Sequence, residues 1–445
     1  MMRRLCLLWA GLSLSLPAAA GDDLLSLYDR ALQASPALLG SQSTVDMLKA
    51  QEDQRGAALR PQISISGNYS FNYFHSNPVS GNPRSETAST YPGTRASINL
   101  QQPLFDLQAY LLMKSQQAKT SQSEEDLLAA HQKLIADLID RYVDALEASD
   151  KSTILATELQ STEQQLARVK AMQARQMALI TDLYELESRT ETLRTQLIDN
   201  DNNARIALEK LRELTGDAVT ELQPVRLDIA QPPPEGSIDA WTQQAGQLNP
   251  ELQSLKHAVE SARLSINAYR AGYLPRLELQ VSESYSNTIY NNRQTSPYDV
   301  TTAGVQATVP VYDGSNTDAK IREASARKKL AESQMEQKLR ELEKQTRAAY
   351  LDMQTSPARS TATDRQLAAR EKSRLAMEKG YSLGAVTIVD LLNAEKQLSS
   401  AKLEQRQARY RYFKARSLLY FQTGKLIGPE LTKFNDWLVL RDNKP

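Results

Sequence analysis

One tyrosine, two aspartates and their neighbours carry the polar chemistry that recurs in this chain. Tyr381 sits in the stretch Gly380-Tyr381-Ser382-Leu383-Gly384-Ala385-Val386-Thr387-Ile388-Val389-Asp390-Leu391-Leu392-Asn393-Ala394. A weaker echo, Ala174 to Leu183, contains Thr181 and Asp182. Asp182 and Asp390 are 208 positions apart, and so are Gly216 and Gly424. A carboxylate in the first turn of a helix meets free N–H groups and the positive end of the dipole, and Thr387 suits the same turn. Gly380 and Gly384 can both take φ > 0, the conformation that ends a helix and reverses the chain. The chemistry on offer is hydrogen bonding and ion binding at two turns that should lie together. Bond-making chemistry has no candidates. His75, His131 and His257 lack ligand spacing, so no metal is expected. Cys6 is the only cysteine, and there is neither a glycine-rich phosphate loop nor a spaced His/carboxylate cluster. The reading is not an enzyme, and without a cofactor.

The elements that position these turns are long helices. Of 445 residues 41% are hydrophobic and only 6% aromatic, a mixture rich in Ala, Leu, Gln, Glu, Lys and Arg that suits coiled coils better than one thick core. Lysine plus arginine and aspartate plus glutamate both number 53, so charge makes no case for nucleic acid. Residues 1–20 read as a secretory signal peptide: Arg3 and Arg4, an apolar run from Leu5 to Leu16, then Pro17-Ala18-Ala19-Ala20. Cys6 lies inside that run, so the mature chain is expected to have no thiol and no N-terminal lipid anchor. No later segment is apolar enough for a transmembrane helix, and membrane insertion would require a β-barrel.

The chain reads as a tandem repeat: residues 21–216, a proline-rich linker at 217–237, residues 238–424, and a tail at 425–445 without strong pattern. Asn249-Pro250-Glu251-Leu252 matches Ser35-Pro36-Ala37-Leu38 at an offset of 214, and Leu274-Pro275 matches Arg60-Pro61 at the same offset. Each repeat opens with a helix, followed by a β-hairpin, about 61–105 in the first and 275–312 in the second. Ile63, Ile65, Tyr69, Phe71 and Tyr73 alternate with Ser64, Ser66, Asn68, Ser70 and Asn72, which is period two. Ile98 and Leu100 alternate with Asn99 and Gln101, and Leu279 and Val281 with Gln280 and Ser282; Ala303, Val305 and Ala307 complete a fourth strand. Glu283 is the one misfit on an apolar face. A long helix and a return helix close each repeat. Those from about Asp106 and Thr317 would span roughly 100 Å at ~1.5 Å per residue, with a break or bend expected at Ser356-Pro357. Return helices carry heptad seams, Leu186 to Leu214 and Ala394 to Leu419.

Four amphipathic strands of membrane-spanning length cannot close a barrel, because known membrane barrels start at eight strands. The missing strands must come from other copies. A return helix and the helix before a hairpin together match one long helix in length.

On the repeated Pro-Leu helix starts, the motifs Gln102-Pro103-Leu104-Phe105-Asp106 and Val309-Pro310-Val311-Tyr312-Asp313-Gly314, and the Gly380–Ala394 stretch, the chain resembles the TolC-like family of outer-membrane efflux and type I secretion channels. The resemblance implies a homotrimer: a twelve-stranded transmembrane β-barrel on an α-helical barrel of long coiled-coil helices, in the outer membrane of a Gram-negative bacterium. It implies docking with a periplasmic membrane-fusion adaptor and with an inner-membrane ABC transporter or proton-driven pump. It also implies a periplasmic gate in which Thr181 and Asp182 bond Tyr381, while Asp390 and Asn393 line the constriction. Asn393 replaces an acid of the TolC pattern, and Val386 stands where TolC has an arginine tying neighbouring turns. The alternative, an exported periplasmic coiled-coil adaptor or structural protein, does not account for two matched pairs of amphipathic strands.

Overall fold

A computed structural model describes residues 22–76, 87–226, 228–288 and 296–438. The signal-peptide reading lies outside the described residues. The first repeat opens with α1 (Leu24–Ala34) and α2 (Pro36–Ala57), the second with α5 (Ile238–Leu248) and α6 (Pro250–Ala271). Each pair has 11 and then 22 residues. The breaks have one cause. Ser35 (ψ 109°) and Asn249 (ψ 121°) are extended because a proline follows each. Asp23 and Ser237 cap α1 and α5 by accepting from the backbone N–H groups of Ser26 and Ala240.

Two hairpins follow, β1 (Gln62–Ser76) with β2 (Thr87–Phe105) and β3 (Arg276–Thr288) with β4 (Tyr298–Thr308). They form one antiparallel sheet in the order β1-β2-β3-β4. Register places Ile65 opposite Ile98, which in turn faces Glu283, and Glu283 faces Thr301. Opposed residues share a face, so the period-two alternation continues across all four strands. Ile65 and Phe71 are 78% and 74% exposed in the single chain. Glu283 is accommodated on this apolar face by the Thr301 hydroxyl, which donates to its carboxylate. Ser66 and Ser97 pair on the opposite face at 2.8 Å. The outer edges of β1 and β4 have no strand partner among the described residues.

The long helices are α3 (Leu107–Gln173) and α7 (Asn316–Ser382), 67 residues each, and the return helices are α4 (Ile180–Thr215) and α8 (Ile388–Gln422). Of the break or bend expected at Pro357, the break is absent: α7 runs through the proline. Its buried residues Leu342, Thr346, Ala349, Tyr350, Met353, Ser356 and Ser360 continue on both sides of the proline, and that packing holds the helix together. The tail is also more ordered than its pattern suggests. It forms α9 (Gly428–Asn435), whose Leu431 and Phe434 are fully buried.

The chain divides into two compact units. One comprises residues 1–38, 130–249 and 342–445, the other 39–129 and 250–341. In the first, Leu24, Leu27, Leu138, Tyr142, Phe413, Leu431 and Phe434 make the main core. Tyrosine hydroxyls tie the linker down: Tyr142 donates to the Gln223 carbonyl at 2.8 Å and Tyr350 to that of Gly236 at 2.9 Å. In the second, Ser115 and Ser261 bond one another's backbone carbonyls reciprocally, at 2.9 Å each. Among the described residues no helix is long and apolar enough to cross a membrane.

Candidate functional site: the paired helical turns

Each turn is built from backbone outward. α7 ends with the Ala385 N–H on the Gly380 carbonyl (2.9 Å) and the Gly384 N–H on that of Tyr381 (3.0 Å), with Gly384 left-handed at φ +70°. This is a Schellman cap. α3 ends in the same pattern: Met177 N–H to Met172 (2.9 Å), Gln176 N–H to Gln173 (2.8 Å), and Gln176 at φ +60°. Gln176 thus occupies the backbone position that Gly384 occupies in the other turn.

Gly380 does not take the φ > 0 conformation that its place in the motif suggests. It lies inside α7 with no left-handed φ, and a Cβ at that position would come within 3.2 Å of Val386 Cγ2. Its smallness serves the close approach of Val386, not the reversal.

The return helices start differently. Thr387 caps α8: its hydroxyl accepts from the Asp390 N–H (3.2 Å) and donates to the Asp390 carboxylate (2.7 Å), which also accepts the Thr387 N–H (3.0 Å). Those two donors hold the Asp390 carboxyl below its ordinary pKa. α4 begins after Leu179 without a side-chain cap, leaving Thr181 exposed and Asp182 partly exposed in its first turn.

The two turns lie together, as the repeat predicts. Val169, Leu183, Leu186, Ile388, Leu391 and Leu392 form one buried cluster, with Tyr381 packed against it. Burial, and then the charge of Asp182, push the Tyr381 phenol up. Tyr381 and Asp182 are therefore neighbours, although no hydrogen bond joins them in the single chain. Asp390 and Asn393 are both exposed, one turn apart on α8.

A group that sequence reasoning passed over lies just inside the turns. Glu395 on α8 is only 5% exposed and accepts from Gln165 Nε2 at 2.6 Å and from the Ser161 hydroxyl at 3.4 Å, both on α3. Burial pushes its carboxyl up. Glu158, also buried, pairs with Arg189 of α4. Glu158, Ser161 and Glu395 border an open pocket of about 390 Å³ that Glu371, Arg374 and Lys402 also line. The available signal was spacing. Glu158 and Gln165, seven apart, share a helix face, and Glu395 interrupts an otherwise apolar seam beside Ala394. Among the described residues no group of His, Cys, Asp and Glu could hold a metal ion.

The family model described as "Outer membrane efflux protein" matches residues 27–217 and again 241–425. The chain is 29% identical to the alkaline protease secretion protein AprF of Pseudomonas aeruginosa, over 91% of this chain and 84% of the relative. It is 24% identical to outer membrane protein TolC of Escherichia coli, over 92% and 84%. Against the proteases secretion protein PrtF of Dickeya chrysanthemi identity is 26%, over 98% and 96%. Among solved structures the channel CusC superposes with a TM-score of 0.79 at 20% identity, covering 92% of this chain and 95% of the other. With the family model matched twice along the chain, the protein belongs to the outer membrane efflux protein family.

Proposed function

We propose that three copies of this chain form a conduit carrying exported polypeptide from the cell, working with a periplasmic adaptor and an inner-membrane ABC transporter. As a member of its family the protein is an outer-membrane export channel with a tandem-repeat helical fold. The finer reading rests above all on one observation: the chain aligns along nine-tenths of its length with AprF, a protein named for alkaline protease secretion. PrtF, matched over nearly its whole length, carries a similar name. In this reading residues 21–216 and 238–424 are the two repeats, 217–237 the linker and 425–445 the tail. The apolar strand face meets lipid and the Ser/Asn/Gln face lines the water-filled bore. Thr181, Asp182 and Tyr381 hold the paired turns inward, while Asp390 and Asn393 ring the narrowest point. Small-molecule efflux is the second reading, favoured by the family model's description as an efflux protein.

Deleting the gene and following secreted protease and resistance to toxic compounds in parallel tests the cargo. Loss of extracellular protease with unchanged resistance is the expected result. Unchanged secretion with heightened sensitivity would overturn the polypeptide reading in favour of efflux.

A further inference from the structure

Two buried acceptors in the turn region have no donor, and they belong to side chains that already touch. Gln165 Nε2 donates to Glu395 Oε1 at 2.6 Å, while Glu395 Oε2 and Gln165 Oε1 are both buried without a hydrogen-bond partner. An amide presents one donor group and one acceptor, whereas an ionised carboxylate presents acceptors alone. Their pairing therefore leaves two bare oxygens, and each unsatisfied buried group is costly. A single proton on Glu395 Oε2 supplies the missing donor. The acid O–H then donates to Gln165 Oε1 while the amide N–H donates to Glu395 Oε1, and both orphans are satisfied in one cyclic acid–amide pair.

We propose that Glu395 is carried as the neutral acid and that its cyclic pair with Gln165 is a proton-dependent latch joining α8 to α3 beside the paired turns. The surroundings support this. From α3, Glu158 faces the site with a like charge, itself held by Arg189 of α4. From α7, Arg374 opposes it with a positive charge but is engaged by Glu378 at 3.2 Å, and Glu371 lies on the pocket wall. From α8 itself, Lys402 lines the same pocket. Burial outweighs the cation and favours the neutral form. The sign follows. An acid whose folded pKa is raised loses its favourable pairing as pH rises from its unfolded value through its folded one, so the latch closes in acid and loosens toward alkaline pH. The effect on conduction rests on the channel reading above; the protonation state does not.

Infrared difference spectra of the assembled protein in detergent, titrated from acidic to alkaline pH, test the latch. A neutral carboxylic-acid carbonyl band persisting above the ordinary glutamate range is expected. It should be absent in Glu395→Gln and shifted in Gln165→Leu, where the acid loses its amide partner. In planar bilayers the closed fraction of the wild type should fall as pH rises through that band's midpoint. Glu395→Gln, whose amide can pair with Gln165 without a proton, should remain closed throughout. Loss of the band within the ordinary glutamate range, its persistence in Glu395→Gln, or identical pH profiles for the wild type and Glu395→Gln would each overturn the latch. A wild type that conducts at no pH would overturn the channel reading and leave the infrared result standing.

Discussion

At the residue scale, the two aspartates of the turns have different work. Asp390 is committed to the Thr387 cap, yet it is exposed and stays ionised below the usual carboxylate range. In a trimer three such carboxylates would ring the axis. Asp390→Ala should therefore weaken block by multivalent cations added from the periplasmic side, and Asn393→Asp should strengthen it. Because the folded Asp390 pKa is depressed, the wild-type block should hold above pH 3.8 and fade only as pH drops through the lowered value. Single-channel recordings at several pH values check both statements, and block indifferent to both residues would place the constriction elsewhere. Tyr381 packs against the turn cluster, within reach of the Asp182 charge. A loss of about 1 kcal/mol changes a two-state ratio about fivefold, so Tyr381→Phe with Asp182→Ala should raise mean conductance by that order if the closed state dominates.

At the element scale, caps and close approaches decide where helices end. Gly216, at the end of α4, has φ +76°, and a Cβ there would lie 2.9 Å from Ala34 Cβ on α1. Gly216→Ala should lower stability by roughly 1–2 kcal/mol from the left-handed conformation alone, plus the overlap, as read by thermal unfolding. At Gly380 the obstacle is a side chain, not the backbone. Gly380→Ala should perturb the turn, and adding Val386→Ala should restore it; failure of the double variant to recover would mean that backbone freedom matters there. The prolines teach the same distinction. Pro36 and Pro250 begin new helices, while Pro357 lies inside α7. An interior proline costs about 3 kcal/mol, so a proline motif in the sequence favours a break. The buried residues flanking Pro357 offset that cost, and they become visible only once α7 is packed against Trp241, Tyr412 and Leu419.

At the scale of the whole molecule, the sheet sets the assembly. Four strands leave the edges of β1 and β4 open, and open edges in lipid would strand backbone groups at several kcal/mol each. Detergent-purified protein should be a trimer by mass measurement, and a stable, folded monomer would sink the proposed barrel. Single cysteines should then map the bore. Ser64→Cys, Ser70→Cys, Asn99→Cys and Gln280→Cys should react with a membrane-impermeant thiol reagent, and Ile65→Cys, Phe71→Cys, Ile98→Cys and Leu279→Cys should not. The reverse pattern would mean that the polar face is outside.

Periodicity determined the strands and the long and return helices, because period two and heptad spacing are written in which side chains avoid water, and matched motifs at fixed offsets determined the tandem repeat. The heptad seam of α4 emerges buried at Leu186, Thr190, Leu193, Asn200, Ala207 and Leu211. The turn residues were legible for a similar reason: helix reversal requires particular backbone and capping chemistry at fixed offsets. What the sequence could not display were relations between distant residues. The Glu283–Thr301 contact, the role of Gly380 toward Val386, the burial of α9 and the pairing of Glu395 with Gln165 each depend on which surfaces meet. A buried carboxylate reads in one dimension as one more charge on a helix. Only the tertiary structure removes its water, and that removal makes its proton matter.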